Sequence, residues 1–365
     1  MSTISFARGI PGPDLLPVEA FGEAARAAAA RDGAVALNYG PPGGYPPLRD
    51  WVAARHGVDP KRVVITNGSL QGFNFLARHA AANGIKLFVE APCYDRTLSI
   101  IRRIGADAEA VPLTNDGMDV DALAGALART DGPAVVYTIP TFQNPSGRTL
   151  SLENRHRLLE LTRAQDVNVL EDDPYGLLRF EGEDLPTLFE LSNGETLFLT
   201  SFSKTVAPGI RVGYLILPED LVSAIEGYVL ENYVSPAIFV EAALYEFVTA
   251  GRFEPNLERV RAELRIRRDA MVAALERDFP EGSAWSDPQG GYFLWLDFPP
   301  GADAETLLAR ATEQGVTFIK GTDFYLSGGG ERSARLAFSF ATAEEIDEGI
   351  RRLGGLVREA AAVPA

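Results

Sequence analysis

Short apolar runs alternate with longer amphipathic segments between residues 62 and 217 of the chain. The runs predict buried strands, and the segments between them place apolar residues at helical spacing. This alternation favours an α/β fold with a mostly parallel central sheet sandwiched by helices. The predicted strands are Arg62–Thr66, Lys86–Glu90, Ala134–Ile139, Val167–Glu171, Thr196–Thr200 and Val212–Leu217, and the predicted helices are Ser69–Ala82, Tyr94–Arg103, Val120–Ala128 and Leu152–Gln165.

The pattern changes after Pro218 and predicts a second, smaller α+β unit. We predict an N-terminal segment 1–35 that packs with this small unit, a large domain 36–270 and a small C-terminal domain 271–365. The N-terminal segment includes a short alanine-rich helix at 20–30. In the remainder the predicted helices are Glu219–Tyr233, Pro236–Phe279, Ala304–Gln314 and Ala343–Glu359, and the predicted strands are Gly291–Phe298, Val316–Ile319 and Ala334–Phe340.

Composition narrows the functional classes. The 365 residues are 46% hydrophobic and 23% charged, which is typical of a folded protein, and the formal net charge of −16 disfavours nucleic-acid partners. Cys93 is the only cysteine, so no intrachain disulfide can form, and the three histidines lack metal-ligand spacing. The sequence shows neither a signal peptide nor an apolar run long enough for a membrane span, which predicts a cytoplasmic protein.

Polar residues follow several of the predicted strands. Ligands of open α/β sheets bind beyond the carboxyl ends of the strands, so these residues are candidates for a binding site. Gly68 and Ser69 begin a helix whose amino end would favour an anion such as phosphate, although Ser69 also suits a simple helix cap. Tyr94 is either a stacking partner for a flat ligand or a core residue. Asn144 lies in an Asn-Pro-Ser-Gly sequence that is also an ordinary turn signal.

Three carboxylates, at residues 171–173, follow the strand Val167–Glu171 and precede Tyr175. A buried carboxylate needs a cationic partner, so this run indicates either a ligand contact or an acidic surface cluster. Because the run leads directly out of an apolar strand, we favour the ligand contact and expect Asp172 to take part in it.

The segment "LTSFSKTVAPGIR" places Lys204 at the end of another strand, near Arg211. A lysine amine forms imines with aldehydes once it is unprotonated, and burial beside a cation lowers its pKa. Arg211 also suits a phosphate, to which Ser201 and Ser203 can donate. The alternatives are a lysine that extends its amine to solvent and a serine acyl-enzyme of the S-x-x-K type; the latter lacks its S-D-N and K-T-G companions.

Together these features match one ligand, pyridoxal 5'-phosphate. Its phosphate suits the Ser69 helix start, the two serines and Arg211, and its aldehyde suits Lys204. Its protonated ring nitrogen suits Asp172, and its ring hydroxyl suits Tyr175 and Asn144. A protein with this cofactor orients it and tunes its electronic properties.

The ordered motifs resemble those of fold-type I aminotransferases of class I/II. The resemblance is to the subgroup with 2-aminoadipate (LysN-like) and kynurenine aminotransferases and the effector domains of MocR regulators. The motifs are "LNYGPPGGYPPLRDWVA", "TNGSLQG", "EAPCYDR", "QNPSG", "EDDPY" and "SFSKTVAPGIRVGY". The resemblance implies a fold-type I enzyme with a large and a small domain, whose cofactor is attached to Lys204 and stacked on Tyr94.

The resemblance implies further roles. Asp172 pairs with the ring nitrogen, Asn144 and Tyr175 bond the ring oxygen, and Gly68, Ser69, Ser201, Ser203 and Arg211 hold the phosphate. Tyr39 reaches the phosphate of the neighbouring subunit in a homodimer with shared sites, and Arg335 binds the substrate carboxylate. The implied reaction moves the amino group of an L-amino acid to 2-oxoglutarate or pyruvate.

The chain departs from the family beside the phosphate site and in its N-terminal leader, and Asp95 and Arg96 replace a commoner small or apolar pair. Leu70 stands where the family often has glutamine, and Arg8 stands where a small residue is usual, so we expect Arg8 to read a distal acidic group of the substrate. Two rival functions remain at this stage: β-elimination or racemisation on the same scaffold, and a non-enzymatic MocR-like sensing domain. The second is disfavoured because the resemblance begins within the first residues and leaves no room for a DNA-binding domain.

Overall fold

The computed structural model describes residues 3–361. The strands are β1 (Ile4–Ser5), β2 (Val63–Thr66), β3 (Lys86–Ala91), β4 (Ala108–Thr114), β5 (Gly117–Met118), β6 (Ala134–Thr138), β7 (Asn168–Asp172), β8 (Leu197–Ser201), β9 (Gly213–Ile216), β10 (Ala284–Trp285), β11 (Phe293–Asp297), β12 (Val316–Thr317), β13 (Ile319–Lys320) and β14 (Ser333–Ala337). The helices are α1 (Val18–Ala36), α2 (Pro46–His56), α3 (Ser69–Ala82), α4 (Asp95–Ile104), α5 (Val120–Leu127), α6 (Leu152–Ala164), α7 (Leu188–Leu191), α8 (Glu219–Tyr233), α9 (Ile238–Thr249), α10 (Phe253–Asp278), α11 (Ala304–Glu313) and α12 (Ala343–Ala361).

The central sheet has eight strands in the order β2-β9-β8-β7-β6-β3-β4-β5. The pairs from β8 through β4 are parallel, whereas β9 runs antiparallel to both of its neighbours. Strands β2 and β6 are buried along their whole length because helices cover both faces. The predicted mostly parallel sheet is therefore confirmed, and the carboxyl ends of β2, β3, β6, β7 and β8 meet at one edge.

The second unit is built on a four-stranded antiparallel sheet in the order β10-β11-β14-β13. Helix α12 packs along α10, and β1 pairs in parallel with β12. The segment after β1 continues along β14, where Ala337 N–H donates to the Phe6 carbonyl at 2.8 Å and Gly12 N–H donates to the Ser339 carbonyl at 2.9 Å. Helix α1 lies along α9 instead. The predicted boundaries at residues 36 and 270 stay predictions.

Two predicted elements are wrong. The helix predicted over Pro236–Phe279 is divided into α9 and α10, because Gly251 adopts a left-handed conformation (φ +71°) that ends α9. The strand predicted over Val316–Ile319 is divided at Phe318 into β12 and β13, which pair with β1 and β14 respectively. Helices α2 and α7 and strands β1, β4, β5 and β10 were not predicted.

Candidate active site

A cavity of about 170 Å³ opens at the edge where the central strands end. The segments at the carboxyl ends of β2, β3, β6, β7 and β8 contribute side chains to it, and residues just before the antiparallel strand β9 add to its wall. The cavity is lined by Ile10, Ser69, Leu70, Tyr94, Ile139, Asn144, Asp172, Pro174, Tyr175, Ser201, Ser203, Lys204, Pro208 and Arg211.

Lys204 follows strand β8 and lines this cavity. Its amine donates a hydrogen bond to the Gly9 carbonyl and lies 5.9 Å from the Tyr175 ring centroid. Burial, together with the positive charges of Arg335 and Arg211, lowers the pKa of Lys204 to about 7. A large fraction of the amine is therefore unprotonated at neutral pH, as reaction with an aldehyde requires.

Asp172 is the last residue of β7 and its carboxyl group is buried. Oδ2 accepts a hydrogen bond of 2.8 Å from the Tyr137 hydroxyl, whereas Oδ1 has no partner among residues 3–361. Burial raises the pKa of Asp172 to about 7, and the Tyr137 hydrogen bond opposes that rise. An unpartnered buried carboxylate oxygen is costly, so this atom is suited to a cationic ligand group.

Donors converge at the other end of the cavity. Arg211 donates to the Ser203 hydroxyl (3.3 Å) and the Asn67 carbonyl (2.9 Å), and Ser201 donates to Ser203 (2.8 Å). Gly68 has φ +85°, which disfavours a side chain, and a β-carbon there would lie 2.6 Å from the Arg211 guanidinium and displace it. Helix α3 begins at the next residue, and its amino end adds backbone N–H groups suited to a phosphate.

These contacts do not form a serine acyl-enzyme site. The Ser201 hydroxyl bonds Ser203 and the Val212 carbonyl, and the Lys204 amine bonds Gly9. A lysine that activates a serine must instead lie within hydrogen-bond reach of its hydroxyl.

Arg335 reaches the site from β14 and is almost completely buried. Its guanidinium donates to Asn144 Oδ1 at 3.0 Å and to the Ala7 carbonyl at 2.9 Å. The group lies 4.3 Å from the Phe293 ring centroid, and its Nε has no partner within the described part of the chain. Arg335 thus offers an unused donor beside Asn144.

The aromatic side chains beside the cavity are buried to different extents. Tyr94 immediately precedes α4 and is partly buried, which raises its pKa to about 12. Tyr175 is buried, and burial raises its pKa further above the ordinary value. Both hydroxyls therefore stay protonated at neutral pH and act as hydrogen-bond donors or acceptors.

Two predicted residues lie outside this cavity. Tyr39 is 79% exposed and is not among the lining residues of its own chain. Arg8 is exposed, and its guanidinium lies 4.9 Å from the Phe340 ring centroid. Its neighbours Ala7 and Gly9 use their carbonyls to contact Arg335 and Lys204, so Arg8 borders the site without lining the cavity.

Three residues that bond Asp172 or Lys204 were missed from the sequence, as were the apolar lining residues Ile10, Ile139, Pro174 and Pro208. Tyr137 bonds Asp172, Gly9 accepts from the lysine amine, and Tyr292 donates to the Lys204 carbonyl at 2.7 Å. Tyr137 had a usable signal: a tyrosine hydroxyl inside a buried strand needs a polar partner. Gly9 and Tyr292 are brought to Lys204 only by the tertiary fold.

The residues present fit pyridoxal phosphate. The free Oδ1 of Asp172 suits a ring N–H⁺, and the cluster of Ser201, Ser203, Arg211 and the α3 amino end suits a phosphate. The amine of Lys204 lines the same cavity, with a pKa low enough to react with an aldehyde.

The comparisons with known proteins agree with this geometry. The profile of the family "Aminotransferase class I and II" matches residues 6–353. The chain is 38% identical to a 2-aminoadipate transaminase of Thermus thermophilus, over 96% of this chain and 89% of that protein. It is 34% identical to aromatic-amino-acid aminotransferase 1 of Thermococcus litoralis, over 98% of this chain and 88% of that protein.

A solved structure gives the same result for the fold. The crystal structure of LysN, an α-aminoadipate aminotransferase from Thermus thermophilus, is complexed with N-(5'-phosphopyridoxyl)-L-leucine. It superposes with a TM-score of 0.94 at 36% identity, covering 99% of this chain and 93% of that chain. The chain therefore belongs to the class I and II aminotransferase family, is a pyridoxal-phosphate-dependent transaminase and has the fold-type I architecture, which confirms the predicted resemblance.

Residues 3–361 lack two kinds of structural feature. Between residues 3 and 361, no helix has the length and apolar character needed to cross a membrane. Over the same residues, no group of three or more His, Cys, Asp or Glu side chains has the arrangement of a metal site.

Proposed function

We propose that this transaminase moves the amino group of an L-amino acid to 2-oxoglutarate or pyruvate, with Lys204 as the base that removes and returns the α-proton. The observation that carries the proposal is one cavity shared by the Lys204 amine and the unpartnered Oδ1 of Asp172, with Arg335 beside it. When bound, pyridoxal phosphate supplies an aldehyde that condenses with amines and a protonated ring that accepts the electrons of the broken Cα–H bond.

Lys204 is suited to proton transfer because its pKa is close to neutral. A general base works best when its pKa lies near the operating pH, and burial beside Arg335 and Arg211 brings the pKa of Lys204 to about 7. The amine takes the proton from the substrate α-carbon and holds it at Nζ. The same amine can then release the proton from Nζ within the cavity.

Asp172 keeps the ring nitrogen protonated. Oδ1 has no partner while Tyr137 holds Oδ2, so one oxygen is fixed and the other is free to accept from the ring N–H⁺. Substitution by Asn removes the charge with little change of shape. We expect Asp172→Asn to lose several orders of magnitude in kcat with an intact fold.

The remaining cavity residues orient the cofactor. Ser69, Ser201, Ser203 and Arg211 hold the phosphate, together with the backbone beside Gly68. Asn144 and Tyr175 would bond the ring oxygen, and Tyr94 would pack on the ring face. These side chains lie at or shortly after the carboxyl ends of central strands, or just before β9, so the sheet helps to fix their spacing.

Arg335 and Asn144 together bind the α-carboxylate of the substrate. The other residues that line the cavity determine which substrate side chains are preferred. Ile10, Leu70 and Ile139 give the cavity apolar walls, which suit a long aliphatic or aromatic side chain. A relative named for aromatic amino acids supports an aromatic donor, and a relative named for 2-aminoadipate supports an acidic one. Arg8 would read a distal carboxylate; an unchanged preference for acidic over neutral donors in Arg8→Ala would refute that role.

We also propose a homodimer with shared sites. Two segments of the chain are joined by a hydrogen bond of 3.2 Å from Gly40 N–H to Ser235 Oγ. They expose five large apolar side chains, Val35, Leu37, Tyr39, Leu230 and Val234. A cluster of this kind is typical of a protein interface. A second copy of the chain is the partner that would carry Tyr39 to a phosphate.

Mixing two inactive variants tests the shared site. Tyr39→Ala and Lys204→Ala should each be inactive as homodimers, whereas subunit exchange creates mixed dimers with one intact site. Such a mixture should recover about a quarter of wild-type activity if each site takes Tyr39 from its neighbour. If mass spectrometry shows that mixed dimers have formed but no activity is recovered, the shared site is refuted. The cytoplasmic location stays a prediction.

The experiment for the reaction is an absorption titration of the loaded protein with a panel of L-amino acids. A visible band that bleaches with particular donors, with release of the matching 2-oxo acid, is expected for transamination. Product analysis separates this outcome from β-elimination, which releases ammonia, and from racemisation, which yields the D-amino acid. Lys204→Ala, which should bind cofactor without turnover, is the control.

A further inference from the structure

Tyr292 contacts both the main-chain carbonyl and the side-chain amine of Lys204. The tyrosine lies just before β11 in the small unit and is fully buried. Its hydroxyl donates to the main-chain carbonyl of Lys204 at 2.7 Å, and the lysine amine lies 5.4 Å from its ring centroid. One side chain from outside the central sheet therefore contacts both the backbone and the reactive group of the lysine.

The turn that carries Lys204 depends on such external contacts. The amides of Val206 and Ala207 both donate to the Phe202 carbonyl, so neither of them engages the Lys204 carbonyl. The next carbonyl, that of Thr205, accepts from the side chain of Asn256 on α10 at 2.7 Å. Two consecutive carbonyls after β8 are thus held by side chains rather than by the sheet.

Tyr292 is fixed to the strand that carries Arg335. Phe338 N–H donates to the Tyr292 carbonyl at 3.0 Å, and the next residue, Phe293, pairs with Ala337 of β14. Arg335 lies on the same strand, two residues before Ala337. The sheet that carries the carboxylate-binding arginine therefore also carries the hydroxyl that holds the lysine.

We propose that Tyr292 is a positioning residue, whose hydroxyl fixes Lys204 relative to Arg335 so that the small unit aligns the base with the substrate it binds. The proposal rests on the proposed role of Lys204. It predicts that loss of the hydroxyl impairs steps that need the lysine amine and spares binding that does not.

A pair of ligands separates these two effects. Pyridoxal phosphate binds and then condenses with an amine, so that a C=N bond replaces the aldehyde C=O bond and water is released, whereas pyridoxamine phosphate has no aldehyde and only binds. In Tyr292→Phe we expect the dissociation constant of pyridoxamine phosphate to stay within about twofold of wild type. The rate of covalent attachment at saturating pyridoxal phosphate should fall about five- to tenfold, the size of one neutral hydrogen bond.

The matched control is Tyr214→Phe. Tyr214 is also buried, and its hydroxyl bonds His56 Nε2 at 2.8 Å rather than the lysine. This variant should change neither measurement. Tyr292→Met, which also lacks the hydroxyl but keeps an apolar side chain, serves as the second variant if the phenylalanine protein does not fold, and the same slowing is expected.

Two results would overturn the positioning role. An unchanged attachment rate in Tyr292→Phe would show that the hydroxyl does not position the lysine. Equal weakening with both ligands would show a general structural role. Failure of the proposed function is recognised separately, because Lys204→Ala would then still attach pyridoxal phosphate covalently.

Discussion

Replacement of Arg335 should affect substrate binding and the charge state of Lys204 together. The guanidinium is buried, stacked 4.3 Å from the Phe293 ring centroid and 5.1 Å from that of Phe324, and bonded to Asn144 and Ala7. Arg335→Ala leaves a substrate carboxylate without its cationic partner. Arg335→Lys keeps the charge but loses the planar fork that binds a carboxylate through two donors.

The magnitude follows from the burial of the group. Loss of one partner of a buried, hydrogen-bonded charge pair costs about 2 to 5 kcal/mol, which lowers kcat/KM about 30- to 5000-fold in Arg335→Ala. The positive charge of Arg335 also lowers the pKa of Lys204, which stands at about 7. Without that charge the pKa rises, so the amine stays protonated to a higher pH.

Two assays separate these effects. The first measures kcat/KM for one amino donor, and the second measures covalent attachment of pyridoxal phosphate to the cofactor-free protein as a function of pH. Attachment needs the neutral amine, so the wild-type rate should rise through about pH 7. The midpoint should move to higher pH in Arg335→Ala and stay in place in Arg335→Lys, although both variants lose kcat/KM. An unshifted midpoint in Arg335→Ala would refute the electrostatic coupling.

Three further substitutions test other parts of the account. Tyr137→Phe removes a hydrogen bond that lowers the pKa of Asp172, so the carboxyl group stays protonated to a higher pH. The acid limb of the pH profile of kcat/KM should therefore move to higher pH. An unmoved limb would contradict this. Leu70→Gln adds a donor to the cavity and should lower the dissociation constant of pyridoxamine phosphate by several-fold, with Leu70→Met as the control without a donor. Asp166, the exposed residue after the C-cap of α6, has φ +54°, so Asp166→Gly should raise the free energy of unfolding by up to about 1 kcal/mol in denaturant titrations, and a loss of stability would argue against the strain.

Most of the fold could be predicted because it depends on local patterns. The six strands predicted up to residue 217 each overlap an observed strand of the central sheet, since each is an apolar run bounded by turn residues. The errors arise where tertiary structure decides. The chain changes strand partner at Phe318, and Gly251 ends a helix within a segment whose apolar periodicity continues on both sides.

The residues of the candidate site likewise include some that local sequence patterns predict and some that only the tertiary structure brings together. Asp172, Ser201 and Lys204 lie at or just after the ends of strands, so their position in the sequence places them at the ligand-binding edge. Tyr292 and Gly9 are 88 and 195 residues from Lys204, and only the packing of the small unit and the N-terminal segment brings them to it. No local pattern encodes contacts of this kind.

The measurement that tests the central claim most directly is the site of covalent attachment. The protein loaded with pyridoxal phosphate is reduced with borohydride, which fixes the cofactor to the amine that holds it, and the modified peptide is sequenced by mass spectrometry. The account predicts a single phosphopyridoxyl group on Lys204, in the peptide that contains "SFSKTVAPGIR". A label on any other lysine, or an undiminished label in Lys204→Ala, would contradict it.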